Sequence, residues 1–293
     1  MDSSFLGRVV TAKMTDQNQN SYFVQYQAQT LVLSKNEIAK SLKNGDQVRG
    51  FVYENEKHQL QLTTKIPLVG IGRYAFGQVV SVRRELGVFV DIGLENKDIA
   101  VSLDELPELH RLWPQTGDQL MIALKTDNKG RLWGTIASSD IFSQLALKAD
   151  QKMMNQDVQV VVYRLKLAGT LVVTKDFILG FIHPSQRDEE PRLGQLLKAR
   201  VIGVRPDGIL NLSLKPRAYE AIGDDAALLL TDLQHQNGVL PFSDQSTPQA
   251  INEHFGISKG RFKRAVGHLL KNGLITEKNG ELFLKSKSES GKK

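Results

Sequence analysis

The 293-residue chain contains no cysteine. That absence excludes a disulfide framework, a cysteine nucleophile and every thiolate-bound zinc or iron–sulfur site. Long apolar runs are missing too, and none approaches the roughly 18 residues a membrane helix needs. Met1-Asp2-Ser3-Ser4-Phe5 carries neither the charged segment nor the apolar core of a signal peptide. The cytoplasm is therefore the expected address, with no membrane partner. Acidic residues are the minority, 32 against 38 basic, leaving a net charge of +6. Such an excess admits an anionic partner without requiring one. At 41% hydrophobic and 24% charged the composition is that of a soluble globular protein. The length suits about two to four domains.

Catalytic patterns are as scarce as cysteine. No Gly-x-Ser-x-Gly elbow, phosphate loop or paired-histidine metal helix occurs. Gly70-Ile71-Gly72 followed by Gly77 misses the dinucleotide-binding spacing. The histidines, at 58, 110, 183, 235, 254 and 268, are scattered along the chain. Asp188-Glu189-Glu190 could attract magnesium, but it precedes Pro191 and reads better as a solvated turn. No enzyme activity, metal or cofactor is expected.

What is present is repetition, which is sought before elements are assigned. Leu6-Gly7-Arg8-Val9-Val10 returns as Phe76-Gly77-Gln78-Val79-Val80. Gly45-Asp46-Gln47-Val48 returns as Gly117-Asp118-Gln119-Leu120, and more loosely as Gly194-Gln195-Leu196-Leu197. Each unit closes on an alternating segment: Leu60-Gln61-Leu62, Leu132-Trp133-Gly134 and Leu212-Ser213-Leu214. In the middle copy, alternation and β-branched residues predict strands over 77–83, 87–92, 99–103, 120–126 and 131–137. Five short antiparallel strands in about 70 residues suit a small Greek-key barrel of the OB type.

After Pro216 the period changes from 2 to 3.6. Ile222, Ala226, Leu229, Leu230 and Leu233 mark one face of an amphipathic helix. Thr247-Pro248 opens a second helix ended by Gly256, and Ser258 caps a third with Phe262, Val266, Leu269 and Leu270 on its apolar stripe. Lys278-Asn279-Gly280 then predicts a hairpin. The expected architecture is mainly β with a C-terminal α+β domain: three tandem five-stranded barrels over 1–65, 66–140 and 151–216, then a winged helix-turn-helix over 217–285. Residues 286–293 read as a flexible tail.

The barrel units resemble the RNA-binding domain first named in ribosomal protein S1. Gly87-Val88-Phe89-Val90-Asp91 matches that family's core strand in the middle copy. In the third copy, Gly180-Phe181-Ile182-His183-Pro184-Ser185 and Leu212-Ser213-Leu214-Lys215 match its later elements. The first copy is degenerate, with Tyr22-Phe23-Val24 in the core strand. Three such units followed by a winged helix resemble the bacterial conserved virulence factor B family. The resemblance implies RNA binding linked to the regulation of gene expression, with no assigned catalysis.

In S1-type domains RNA lies across strands 2 and 3, on exposed aromatics flanked by basic residues. Alternation turns Phe89 outward, with Arg83 and Arg84 close by in sequence, and puts Phe23 in the matching place. These rings either stack on bases or pack beneath a neighbouring domain. In the third copy Leu171 takes that position, leaving Phe181 and His183, and the histidine is either an RNA contact or a structural residue. Net charge by segment is +2 over 1–65, −2 over 66–150, +5 over 151–217 and +1 over 218–293. Arg164, Lys166, Lys175, Arg200, Arg205 and Lys215 are thus candidate phosphate contacts, or plain solvated surface. On the third helix of the winged domain, Lys259, Arg261, Lys263, Arg264, His268 and Lys271 lie outside the apolar stripe. Related helices enter the DNA major groove, although the fold alone names no ligand. The partner expected is single-stranded RNA, with duplex DNA admitted through the winged helix. A DNA-binding transcription factor with protein-docking barrels, and a ribosome- or polymerase-associated adaptor, are the alternatives.

Overall fold

The computed structural model describes residues 5–216 and 218–285, without the side chains of 218–222. It separates into two compact units, residues 1–214 and 215–293.

The first unit holds three closed five-stranded barrels. Barrel 1 is built from β1 (Val9–Gln17), β2 (Ser21–Tyr26), β3 (Gln29–Ser34), β4 (Gln47–Glu54) and β5 (Leu60–Thr63). Barrel 2 uses β6 (Ala75–Arg83), β7 (Gly87–Asp91), β8 (Ile99–Ser102), β9 (Gln119–Thr126) and β10 (Leu132–Ile136). After α1 (Ser139–Leu145), barrel 3 uses β11 (Asp157–Lys166), β12 (Gly169–Thr174), β13 (Leu179–Ile182), β14 (Leu196–Val204) and β15 (Leu210–Ser213). The expected strands of the middle copy agree to within about two residues, and α1 was not foreseen.

The sequence repeat has a geometric cause. The first strand of each barrel bulges at the same place, Met14/Asp16, Val79/Ser81 and Val162/Arg164. A glycine of positive φ faces each bulge: Gly45 at 96°, Gly117 at 95° and Gly194 at 79°. Their amides donate to the carbonyls of Met14, Val79 and Val162. The amides of these three residues donate back to Asp46, Asp118 and Gln195. A side chain would strain that conformation, so glycine recurs where the loop must turn back onto the bulge.

The barrels are docked to one another inside this unit. The cores of barrels 1 and 2 merge into one apolar cluster through residues such as Val52, Val69 and Leu124. Tyr53 Oη donates to Gln61 Oε1 at 2.6 Å and reaches the Glu95 carbonyl at 3.0 Å. Burial there, with Glu37 and Glu95 adding negative charge, pushes the phenol pKa up to about 12. Between barrels 2 and 3, Phe142 of α1 stacks on Tyr163 at 4.0 Å, and Arg192 grips Asp118 with both nitrogens at 3.1 and 3.2 Å.

The second unit contains α2 (Ala218–His235), β16 (Val239–Leu240), α3 (Pro248–Phe255), α4 (Lys259–Lys271), β17 (Ile275–Lys278) and β18 (Glu281–Leu284). Its sheet order is β16-β18-β17, so a short strand unforeseen from sequence completes the wing. Thr247 and Ser258 cap α3 and α4 as expected, accepting from Ala250 N and Arg261 N. Ala226, Leu229, Leu233, Ile251, Phe262, Val266 and Leu269 form the core. The expected contribution of Ile222 and the tail from 286 lie outside the described residues.

Candidate nucleic-acid interface

Strand pairing brings one residue from each of several strands into a row on the outer face of each barrel, because directly paired residues share a face. In barrel 2 the row is Ser81, Phe89, Ala100 and Trp133: Ser81 pairs with Phe89, Phe89 with Ala100, and Gly134 with Val101 one step along. Val88 and Val90 are buried, which turns Phe89 outward, half-buried. Ala100 leaves a low floor between two rings standing two strand spacings apart, roughly 9.5 Å at the backbone. Arg83 lies over Phe89 at 4.9 Å and Arg131 over Trp133 at 5.7 Å. Asp127 organises the turn that carries Arg131 and Trp133. It accepts from the backbone of Lys129 and Arg131, the Arg131 guanidinium and the Trp133 indole. The Arg131 backbone bond foremost holds the Asp127 pKa down to about 2. The two rings border a cleft of about 170 Å³, walled also by Lys97, Asp98 and, from barrel 1, Glu54 and His58. The neighbouring barrel thus flanks Phe89 and does not cover it.

In barrel 3 the corresponding row is Arg164, Leu171, Phe181 and Asn211. The aromatic has moved from strand 2 to strand 3. Its ring lies over Gly169, where an added Cβ would sit 2.6 Å from both the Phe181 ring and the Ile182 carbonyl. Lys166 pairs with Gly169, and continuing the register brings His183 level with them. His183 caps the short turn Pro184–Gln186, with Nδ1 accepting from Ser185 N at 3.1 Å and lying 2.8 Å from Ser185 Oγ. With Nδ1 engaged by the turn, Nε2 is the ring nitrogen left for other partners. Ser34 and Ser102 cap the same turn in barrels 1 and 2. The histidine is therefore both a cap and an exposed group. A cleft of about 350 Å³ runs past Phe181, His183 and Asn211.

Barrel 1 presents Asp16, Phe23, Val32 and Gln61 in the same row. Phe23 is half-buried and faces outward as expected. The residue beside the aromatic position thus runs from Asp16 through Ser81 to Arg164, an acid, a neutral and a base.

The cations expected together in barrel 3 separate. Arg164 and Lys166 join the aromatic face. Lys175 stands in the β12–β13 turn, Arg200 on β14 opposite Asp157 and Ser213, and Lys215 beyond β15. Arg205 pairs with Asp207 at 2.7 Å. Charge counting could not resolve this, because the strands carry these residues to different turns and edges. Arg84 stays exposed in the β6–β7 turn.

On α4, Lys259 is half-buried, while Arg264, His268 and Lys271 are exposed opposite the buried stripe. Arg261 departs from the expectation of a phosphate contact. Its guanidinium makes bonds of 2.9 and 2.6 Å to Asp225, which is 3% exposed, and so ties α4 to α2. A buried carboxylate needs that partner. Lys263 makes a loose surface pair with Asp244 at 3.4 Å. Of the Asp188–Glu190 cluster, Glu190 is held by Arg187 at 2.8 Å.

Trp133, Asp98 and Lys97 were not among the contact residues expected from sequence, where Trp133 entered only as part of a closing strand. Alternation after buried Leu132 marks Trp133 as outward, but its adjacency to Ala100 needs the parallel β8–β10 pairing.

A general S1 domain model matches residues 6–65, and the CvfB first S1-like domain matches residues 74–135. The second domain of virulence regulatory factor CvfB matches residues 142–216, and the CvfB-like winged helix domain matches 227–284. The chain is 41% identical to YitL of Bacillus subtilis over 284 residues, 97% of this chain and 95% of that one. It is 32% identical to conserved virulence factor B of Staphylococcus epidermidis over 294 residues, covering 99% and 98%. A crystal structure of a multidomain protein with nucleic acid binding domains from Streptococcus pneumoniae superposes with a TM-score of 0.72 at 46% identity, covering 96% of this chain and 99% of that one. With four consecutive domain matches and full-length relatives above 30% identity, the chain belongs to the conserved virulence factor B family.

Proposed function

We propose that this protein is a non-catalytic regulator of gene expression that holds single-stranded RNA on the outer faces of barrels 2 and 3. The observation that carries the reading is the pair of rows in which outward rings stand beside cations: Phe89 and Trp133 with Arg83 and Arg131, and Phe181 with Arg164, Lys166 and His183. Rings that accept any base face, beside cations that follow the phosphates, are what single-strand binding requires. The regulatory part rests on the description of the matching family as a virulence regulatory factor and on staphylococcal relatives named conserved virulence factor B. Barrel 1, with Asp16 beside Phe23, contributes least. Binding of the full chain to single-stranded RNA, single-stranded DNA and duplex DNA at matched salt tests the reading, with single-stranded RNA expected to bind tightest.

A second reading, duplex DNA held by the winged helix, is favoured by the exposed Arg264 and Lys271 on α4. Tighter binding to duplex DNA than to either single strand would select it. Failure to bind any nucleic acid would leave the adaptor role.

A further inference from the structure

The cleft between Phe89 and Trp133 is polarised along the strand that forms its floor. Ala100 is that floor, flanked by Asp98 just before β8 and by Ser102 at its far end, since every second residue of a strand shares a face. At the Ser102 end the register brings in Gly87 and Arg83, with Arg84 following. At the Asp98 end the wall carries two carboxylates, Asp98 and, reaching in from barrel 1, Glu54, with Lys97, His58 and Arg131 beside them. One Glu54 oxygen is held by His58 at 2.6 Å. Asp98 has no hydrogen bond or ion pair among the described residues. Burial, with Asp91 and Glu56 close by, pushes its pKa above the usual carboxylate value.

A nucleotide has the same polarity, with an anionic phosphate at one end and a hydrogen-bonding base edge at the other. A base standing on Ala100 between the rings, its phosphate toward Arg83 and Arg84, turns its Watson–Crick edge to Asp98 and Glu54. Ionised carboxylates only accept hydrogen bonds. Guanine alone among the RNA bases presents two adjacent donors on that edge, N1–H and the 2-amino group. Uracil presents one N–H flanked by two carbonyl oxygens, which a carboxylate repels. Lys97, on the same wall, supplies a donor for the guanine carbonyl oxygen.

We propose that the Phe89–Trp133 cleft is a single-base pocket that selects guanine in single-stranded RNA, with Asp98 as the specificity-determining residue and Glu54 of barrel 1 completing the wall. This inference rests on the RNA-binding reading above. It gives the barrel of net negative charge a role in base identity, and leaves phosphate affinity to barrel 3.

The chain has two tryptophans, and Trp113 is 5% exposed with its indole bound to the Pro107 carbonyl. Quenching by a stacked base therefore reports on Trp133. The full-length protein is titrated with the pentanucleotides UUGUU, UUAUU, UUCUU and UUUUU at one salt concentration, following affinity by anisotropy and stacking by tryptophan fluorescence. The expected result is about tenfold tighter binding of UUGUU than of UUUUU, in line with one good pair of base-edge hydrogen bonds. Tryptophan quenching should be strongest with UUGUU. Asp98→Asn should shrink the ratio to about twofold, and Trp133→Phe should abolish the quenching. Equal affinities for all four with quenching retained would overturn guanine selection and leave the RNA reading intact. Binding without any quenching would overturn the pocket itself. No binding of any pentanucleotide would sink the RNA reading along with it.

Discussion

At the scale of single residues, the proposed function gives some side chains a contact role beside their structural one, and substitution separates the two. His183 occupies a capping position that Ser34 and Ser102 fill in the other barrels. His183→Ser should therefore keep the cap and leave Tm within about 2 °C, while RNA affinity falls through loss of the exposed imidazole. Parallel thermal melts and binding titrations check this, and a large drop in Tm would make the residue structural only. Asp98 makes the opposite case. Its raised pKa means that the folded state binds the proton more tightly than the unfolded chain does. Ionisation hence costs stability, the cost being present above the raised pKa and absent below the unfolded value near 3.8. Asp98→Asn should stabilise the protein at pH 7, with the gain vanishing as pH falls toward 4. Thermal melts at both pH values measure the difference. A carboxylate kept at a cost to folding is what a ligand contact would explain.

At the scale of elements, α4 divides its cations between folding and surface. Lys263→Glu with Arg264→Glu should leave the fold intact, because the buried stripe is Phe262, Ala265, Val266 and Leu269 and the Lys263–Asp244 pair is exposed. If α4 meets phosphates, the slope of log affinity against log salt should lose roughly 0.7 per contact removed on single strands. An unchanged slope would assign the helix to another role. Arg261→Ala, by contrast, should destabilise the winged helix by about 3 kcal/mol, because it strands the buried Asp225. Denaturant unfolding reads that loss. Sequence spacing put all these residues outside the apolar stripe, correctly, but the stripe does not show which cation has a carboxylate waiting on α2.

At the scale of the molecule, three barrels share one unit. Their joints are built from ordinary core physics: merged cores between barrels 1 and 2, and Phe142 on Tyr163 with Arg192 on Asp118 between barrels 2 and 3. Phe142 is 1% exposed, so Phe142→Ala should cost roughly 3–5 kcal/mol. The intact unit of three barrels is expected to unfold in one transition and the variant in two, which calorimetry would register. Docking lets residues from different repeats wall one cleft, as Glu54 and Asp98 do.

Local chemistry alone determined much of this protein. Alternation defined the strands, the Gly-Asp-Gln recurrence revealed the repeat, and Thr247, Ser258 and Asn279-Gly280 marked the ends of helices and hairpin, because each depends on neighbours a few residues away. Phe89 and Phe23 were legible as outward for the same reason, a side-chain period of two. Tertiary structure decided the rest. Trp133 meets Ala100 only through a parallel pairing across 33 residues, Arg261 meets Asp225 across 36, and Glu54 reaches the second barrel's cleft through docking. Such contacts join segments whose separation in the chain carries no periodic signature, so only the closed barrels and packed helices could bring them together.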